Sequence, residues 1–229
     1  MVRRMKNIDQ VYTGAMAAKY DAVRAGGKRW AREAEVIEPL LRSFPAGSGL
    51  LDVAAGTGRW LPLYKKQGLS PILIDSSQDM LDQAAAKAAA LELPVRIICA
   101  SALSPAPFPA APQALVTNFF NWISLPGVET VLRKIIAAGA TRILFMISYF
   151  PDDAGPLLRF RKSLWLGIRN FRSHLGWKEK GHYHLHAERD VRELLQRLGL
   201  AAQAEHLIVA TRYKRNVMFD VAVAPPPAP

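Results

Sequence analysis

The chain has 229 residues, half of them apolar, which amounts to one ordinary domain with a sizeable core and room for an inserted cap. Its single cysteine, Cys99, excludes an internal disulfide and points to a reducing compartment. No run approaches the ~20 apolar residues of a membrane span, and residues 1–10 hold no apolar signal-peptide core, so the expectation is a cytoplasmic protein. The formal charge of +11 predicts attraction to polyanions, whether anionic lipid head groups or nucleic acid, and says nothing about reaction type. Taken in order, residues 7–24 read as a first helix and Gly26-Gly27 breaks it. Residues 29–44 form a better helix, with Trp30, Ala34, Ile37, Leu40 and Leu41 at helical spacing.

A turn cluster at 44–49 leads into a first strand at 50–54, apolar except for Asp52, as suits a central strand covered on both faces. Helices at 60–67, 78–92 and 128–138 then alternate with strands at 71–75, 94–100, 114–118 and 142–149. Cys99 falls in the third strand and reads as a small buried residue. After the fifth strand the alternation breaks. Residues 156–175 look helical, residues 187–198 form a last helix, and residues 203–210 and 216–223 read as two late strands. The pattern predicts an α/β fold with a doubly wound, mostly parallel seven-stranded sheet and helices on both faces. Residues 1–224 are one domain, with a helical lid at 1–46 and a basic, aromatic cap at 151–186; residues 225–229 are a disordered tail.

The organising stretch is Leu50 to Trp60, in which an apolar run meets a Gly-rich turn and then a helix. Gly56 and Gly58 carry no side chain, so a ligand can approach the backbone, and the first-turn N–H groups of the following helix point into the same space. Asp75 ends the second strand 17 positions after Gly58, where an acid can accept hydrogen bonds from both hydroxyls of a ribose. The ligand is therefore a nucleoside. It is not a dinucleotide, because residues 54–59 read Ala-Ala-Gly-Thr-Gly-Arg and do not match G-x-G-x-x-G.

The order Asp52-Val53-Ala54-Ala55-Gly56-Thr57-Gly58 resembles the first motif of class I S-adenosylmethionine-dependent methyltransferases, closest to the branch that methylates quinones and other small molecules. The resemblance implies a Rossmann-like methyltransferase fold and S-adenosylmethionine as cofactor. It implies that Asp52 faces the cofactor's amino-acid end, directly or through water, with Ala54, Gly56 and Gly58 giving backbone room beside it. It further implies that Asp75 holds the ribose hydroxyls and that Ser76 and Met80 line the adenine side. Ser101-Ala102 stands where the family often has an acid followed by Ala, and the Ser hydroxyl can bond the adenine amino group. Asn118 stands where the methyl donor meets the acceptor.

Methyl transfer from a sulfonium is an in-line displacement, which asks chiefly for alignment and exclusion of water, with a base only if the acceptor loses a proton. No catalytic residue is therefore assigned; Tyr20, His182 and His184 are the candidates. His182, His184 and His186 alternate, but the helix expected from Ala187 breaks a metal geometry, and no metal is expected. Phe119 and Trp122 either wall an apolar acceptor or pack in the core. The cap has seven Lys or Arg against the single acid Glu179 between Leu157 and His184. Its apolar stripe either packs on the sheet or lies on an anionic membrane surface, in which case the protein is peripheral on the inner membrane. The reading is a methyltransferase for a small-molecule or lipid-like acceptor, on O or N. The alternatives are an RNA or protein methyltransferase, which the charge allows though no set of base-stacking aromatics is present, and a non-catalytic S-adenosylmethionine-binding scaffold subunit.

Overall fold

Apolar runs at 50–53, 72–74 and 114–116 become strands covered on both faces because nearly every residue in them is hydrophobic. The computed structural model describes residues 12, 14, 17, 19–24, 26–153, 155–174, 183–211 and 214–224. Its strands are β1 (Gly49–Val53), β2 (Ser70–Asp75), β3 (Arg96–Cys99), β4 (Gln113–Val116), β5 (Arg142–Phe150), β6 (His186–Ala187), β7 (Leu200–Thr211) and β8 (Lys214–Val223). The helices are α1 (Tyr20–Arg24), α2 (Lys28–Arg42), α3 (Leu61–Gln67), α4 (Gln78–Ala90), α5 (Leu125–Ala137), α6 (Pro156–His174) and α7 (Glu188–Arg197). A 3₁₀ turn spans Phe120–Trp122.

The sheet order is β3-β2-β1-β4-β5-β8-β7, parallel through β5, with β8 antiparallel to both of its neighbours. The chain changes direction of progress between β1 and β4. The carboxyl ends of those strands, where an open α/β sheet leaves a crevice, therefore lie side by side. The expected seven strands are all present. An eighth, β6, pairs with Tyr149 and Phe150, past the point where β4 stops pairing with β5 at Phe145.

Alternation along β1 sends Leu51 and Val53 into one core, shared with α5 (Val131, Leu132, Ile135) and α7 (Val191, Leu194). Leu50 enters the opposite core, shared with α2 (Ile37, Leu41), α3 (Leu61, Tyr64) and α4 (Leu81, Ala84). Helices thus cover both faces.

Three expectations change. The helix read over 7–24 is interrupted among the described residues: Tyr12 lies in a bend and Gly14 and Lys19 lie in turns, with helix at Ala17 and again at α1. Gly14 has φ +54°, a left-handed conformation that ends a right-handed helix. Residues 7–11 lie outside the described residues. Cys99 is exposed, because β3 is the edge strand and its end faces outward. The stripe of α6 does not pack on the sheet: Leu157, Phe160, Leu164, Ile168 and Phe171 are between 49% and 72% exposed. The tail at 225–229 and cap residues 175–182 lie outside the described residues.

Candidate active site

The chain leaves β1 through three left-handed residues: Ala54 (φ 59°), Gly56 (φ 56°) and Gly58 (φ 67°). Glycine adopts this conformation freely, whereas alanine at residue 54 carries a strain of about 1–2 kcal/mol. The turn is tied to β2 by the Ala55 N–H donating to the Ile74 carbonyl at 3.1 Å. The Gly56 N–H donates to Asp75 Oδ2 at 2.8 Å, and the Ser77 N–H donates to Asp75 Oδ1 at 2.9 Å. The two glycines serve different purposes. A Cβ on Gly58 would stand 2.5 Å from Leu61 Cδ1 and 3.0 Å from Ala84 Cβ, so its bareness lets the turn pack on α3 and α4. A Cβ on Gly56 would meet only Met80 Cε, at 3.2 Å, and would project into a cavity.

That cavity, of about 640 Å³ including its open mouth, lies at the carboxyl ends of β1, β2 and β4. Ala54, Gly56, Asp75, Ser76, Met80, Ala102 and Asn118 all line it, so most of the residues expected at a cofactor converge there. Ser77 caps α4 by accepting from the Met80 N–H at 3.3 Å, which fixes Met80 against the cavity. Ser101 is not part of the lining; its hydroxyl accepts from the Leu103 N–H at 3.4 Å. Gly58 lies behind the lining. Asp21 of α1 is latched to the turn: the Thr57 hydroxyl donates to Asp21 Oδ1 at 2.7 Å, and Lys87 pairs with Asp21 and donates to the Thr57 carbonyl at 2.8 Å. The latch holds Tyr20 at the cavity, where its ring meets Tyr12 edge-on at 5.5 Å.

Asp52 shares the face of β1 with Leu50 and is buried beneath the turn, outside the cavity lining. The Tyr64 hydroxyl donates to its Oδ2 at 2.7 Å, and its Oδ1 has no hydrogen-bond partner among the described residues. Burial raises its pKa from the ordinary 3.8 to about 7; the Tyr64 hydroxyl opposes the rise and the charge of Asp75 adds to it.

A second cleft, of about 1340 Å³ including open solvent, adjoins the first and shares Asn118 and Trp122 with it. Trp30, Trp165 and Tyr183 give it aromatic walls, Arg29 and Lys214 give it cations, and Asn121 and Ser148 line it as well. Asn118 (φ 56°) is held by Arg29, which donates to its Oδ1 at 2.6 Å, and donates in turn to Glu33 Oε2 at 3.3 Å. Glu33 is buried and also accepts from Arg29 Nε at 2.8 Å and from Arg59. The Arg59 guanidinium lies 3.5 Å from the Trp30 ring centre and 4.0 Å from that of Trp60. Sequence reasoning missed this node. Its signal is Glu33 itself, an acid at i, i+4, i+8 register with Ile37 and Leu41 on the apolar face of α2.

Of the candidates for a base, Tyr20 lines the first cavity. His184 lines neither cavity; its N–H donates to the Asn121 carbonyl at 2.8 Å and its ring stacks on His186 at 6.0 Å. His186 is buried with Nε2 3.0 Å from the Phe120 carbonyl. His182 lies outside the described residues. Among the described residues no His, Cys, Asp and Glu group of metal-binding size occurs. Phe120 packs in the core, while Phe119 and Trp122 line the first cavity.

Residues 50–139 match the family model described as a methyltransferase domain. The chain also shares its fold, a Rossmann-like sheet, with solved structures of methyltransferases. Among solved structures it is similar to a magnesium protoporphyrin IX methyltransferase (ChlM) from Synechocystis PCC 6803 with bound SAH. That likeness has a TM-score of 0.69 and 12% identity, covering 95% of this chain and 98% of the other. It is also similar to the geranyl diphosphate C-methyltransferase from Streptomyces coelicolor A3(2), solved with Mg2+, geranyl diphosphate and S-adenosyl-L-homocysteine. There the TM-score is 0.66 and the identity 13%, over 97% and 89% of the two chains. A SAM-dependent methyltransferase from Thiobacillus denitrificans in complex with S-adenosyl-L-homocysteine matches at TM-score 0.64 and 14% identity, over 93% and 99%. No curated protein matches by sequence.

Proposed function

We propose that the protein transfers the methyl group of S-adenosylmethionine to an O or N atom of a small-molecule or lipid-like acceptor seated in the second cleft. The observation that carries this reading is the pair of adjoining cavities with Asn118 and Trp122 common to both. The first cavity suits the cofactor by chemistry. Gly56 leaves a space that a Cβ would occupy, a carboxylate stands at one wall, and Ile74, Met80 and Ala102 give apolar contact for a flat base. Neighbours of the same fold, solved with SAH or with geranyl diphosphate, act on small molecules by their titles, which supports the acceptor class.

Bound there, the cofactor supplies an electrophilic methyl group. Asp75 accepts from the two ribose hydroxyls, its carboxylate being oriented by the Gly56 and Ser77 N–H groups that it also accepts from. The Ser76 hydroxyl serves the same end of the cavity, and Ala102 the adenine edge. Asp52, buried below the turn with one oxygen lacking a donor, reaches the cofactor's amino-acid end through an intervening group. Asn118, pinned by Arg29 and Glu33, fixes the boundary between donor and acceptor, and Trp122 excludes water from it. Of the three candidates for a base Tyr20 lines the first cavity, and it takes a proton if the acceptor must lose one.

Incubating the protein with methyl-labelled S-adenosylmethionine and fractionated cell extract tests the assignment. Label should enter a small-molecule or lipid fraction. Label in RNA or protein overturns the acceptor class. Calorimetric binding of the cofactor without any labelled product favours the scaffold reading.

A further inference from the structure

The face of α6 that points away from the domain has no occupant among the described residues. Leu157, Phe160, Leu164, Ile168 and Phe171 fall on one side of the helix at i, i+3, i+4 and i+7 spacing, and each is about half or more exposed. A soluble monomer rarely leaves so many large apolar side chains together. The same helix contains Arg159, Arg161, Lys162, Arg169 and Arg172 and not one acid, so this element concentrates the basic excess of the chain. Beside that stripe, the helix is attached to the site. Trp165 lines the second cleft, and Asn170 bonds Tyr183 through both its amide groups, accepting from its N–H at 3.3 Å and donating to its carbonyl at 3.4 Å. No helix among the described residues is long and apolar enough to cross a membrane.

We infer that α6 is a peripheral membrane anchor, which lays Leu157, Phe160, Leu164, Ile168 and Phe171 into an anionic lipid surface to which the basic content of the helix is drawn. The charge decides between occupants. A second copy of this chain would bring the same five cations against themselves, a repulsion that a dimer interface has to offset, whereas an anionic surface attracts every one of them. A nucleic acid would satisfy the cations but leave the apolar stripe facing phosphate. An anionic bilayer interface meets both needs, since apolar side chains enter the acyl boundary while Arg and Lys remain at head-group level. Resting on the acceptor site proposed above, the same geometry opens the second cleft beside the lipid, so an acceptor dissolved in the membrane enters past Trp165.

Flotation of the full chain with phosphatidylcholine vesicles, with and without phosphatidylglycerol, tests the anchor independently of any methyl transfer. Binding should require the anionic lipid and weaken with salt. Arg161→Gln should lower partitioning about fivefold, since one basic residue at an anionic surface is worth about 1 kcal/mol. The double variant Phe160→Glu/Phe171→Glu should lower it on the order of a hundredfold through the loss of two inserted aromatic side chains. Cofactor affinity, measured by calorimetry, should be unchanged in both variants and reports that they fold. Equal and negligible flotation of the unmodified chain with both vesicles overturns the proposal. So does unchanged flotation of the double variant, or sedimentation showing a dimer that this variant dissociates.

Discussion

The two cavities are built in opposite ways. The first is centred on the loops after β1 and β2, to which the end of β4 and Tyr12 and Tyr20 add walls, and its central contact joins Gly56 to Asp75, 19 positions apart. The second gathers Val23, Glu33, Asn118, Tyr183 and Lys214 from almost the whole chain. A site whose centre is one strand–turn–helix unit and the next strand has that centre fixed as soon as those strands pair in register, as Val53 does with Ile74. A site made from a lid helix, a 3₁₀ turn, a cap helix and a late strand depends on how separate elements dock. That difference lets the walls of the second cleft vary without touching β1, β2 or their turn.

The largest expected effect probes the node where the two halves meet. Glu33→Ala leaves the Arg59 guanidinium between two tryptophans without its carboxylate and should cost about 3–5 kcal/mol, read as a lower urea midpoint. A near-unchanged midpoint would show that the two halves are not joined through this carboxylate. Next comes Asp52. With its folded pKa near 7 and its ordinary value at 3.8, the folded chain holds more protons than the unfolded chain between about pH 4 and pH 7, and stability falls as pH rises through that window. Asp52→Asn should remove that slope, whose ceiling is about 4 kcal/mol for a shift of this size. Denaturation at several pH values checks it, and a slope common to both proteins assigns the titration elsewhere.

Smaller effects separate the halves cleanly. Asp75→Ala should weaken cofactor binding tenfold to a hundredfold, about 1.4–2.8 kcal/mol, by calorimetry; unchanged affinity removes the cofactor from the first cavity. Trp165→Ala should leave that affinity alone and raise the acceptor KM about two- to tenfold, the loss of one aromatic wall. If instead cofactor affinity falls and KM does not, the two clefts are wrongly apportioned.

Much of the first half was legible in the sequence. The turn, Asp75, Met80 and Asn118 converge as their order along the chain implies, because each follows or ends a strand whose apolar run is unmistakable. Asp52 and Gly58 stand just outside the cavity for reasons of local geometry: the pleat turns the Asp52 side chain towards Tyr64, and the turn lays Gly58 against Leu61. The second half was only partly legible. Its aromatic and basic content is visible in the sequence, but its main organiser, Glu33, shows there only as an acid in register with Ile37 and Leu41, which does not say that Arg59 and Asn118 meet it.

The amino-acid sequence by itself determined the sheet, the Gly-rich turn and the acid that follows it, since period, propensity and strand-end position are local properties of the chain. The tertiary structure alone decided three things. Cys99 is exposed because β3 is the sheet edge; Glu33 is buried because two arginines converge on it; and the stripe of α6 faces outward. Each depends on what lies beside an element, and a helical or strand period records which residues share a face without recording what covers that face.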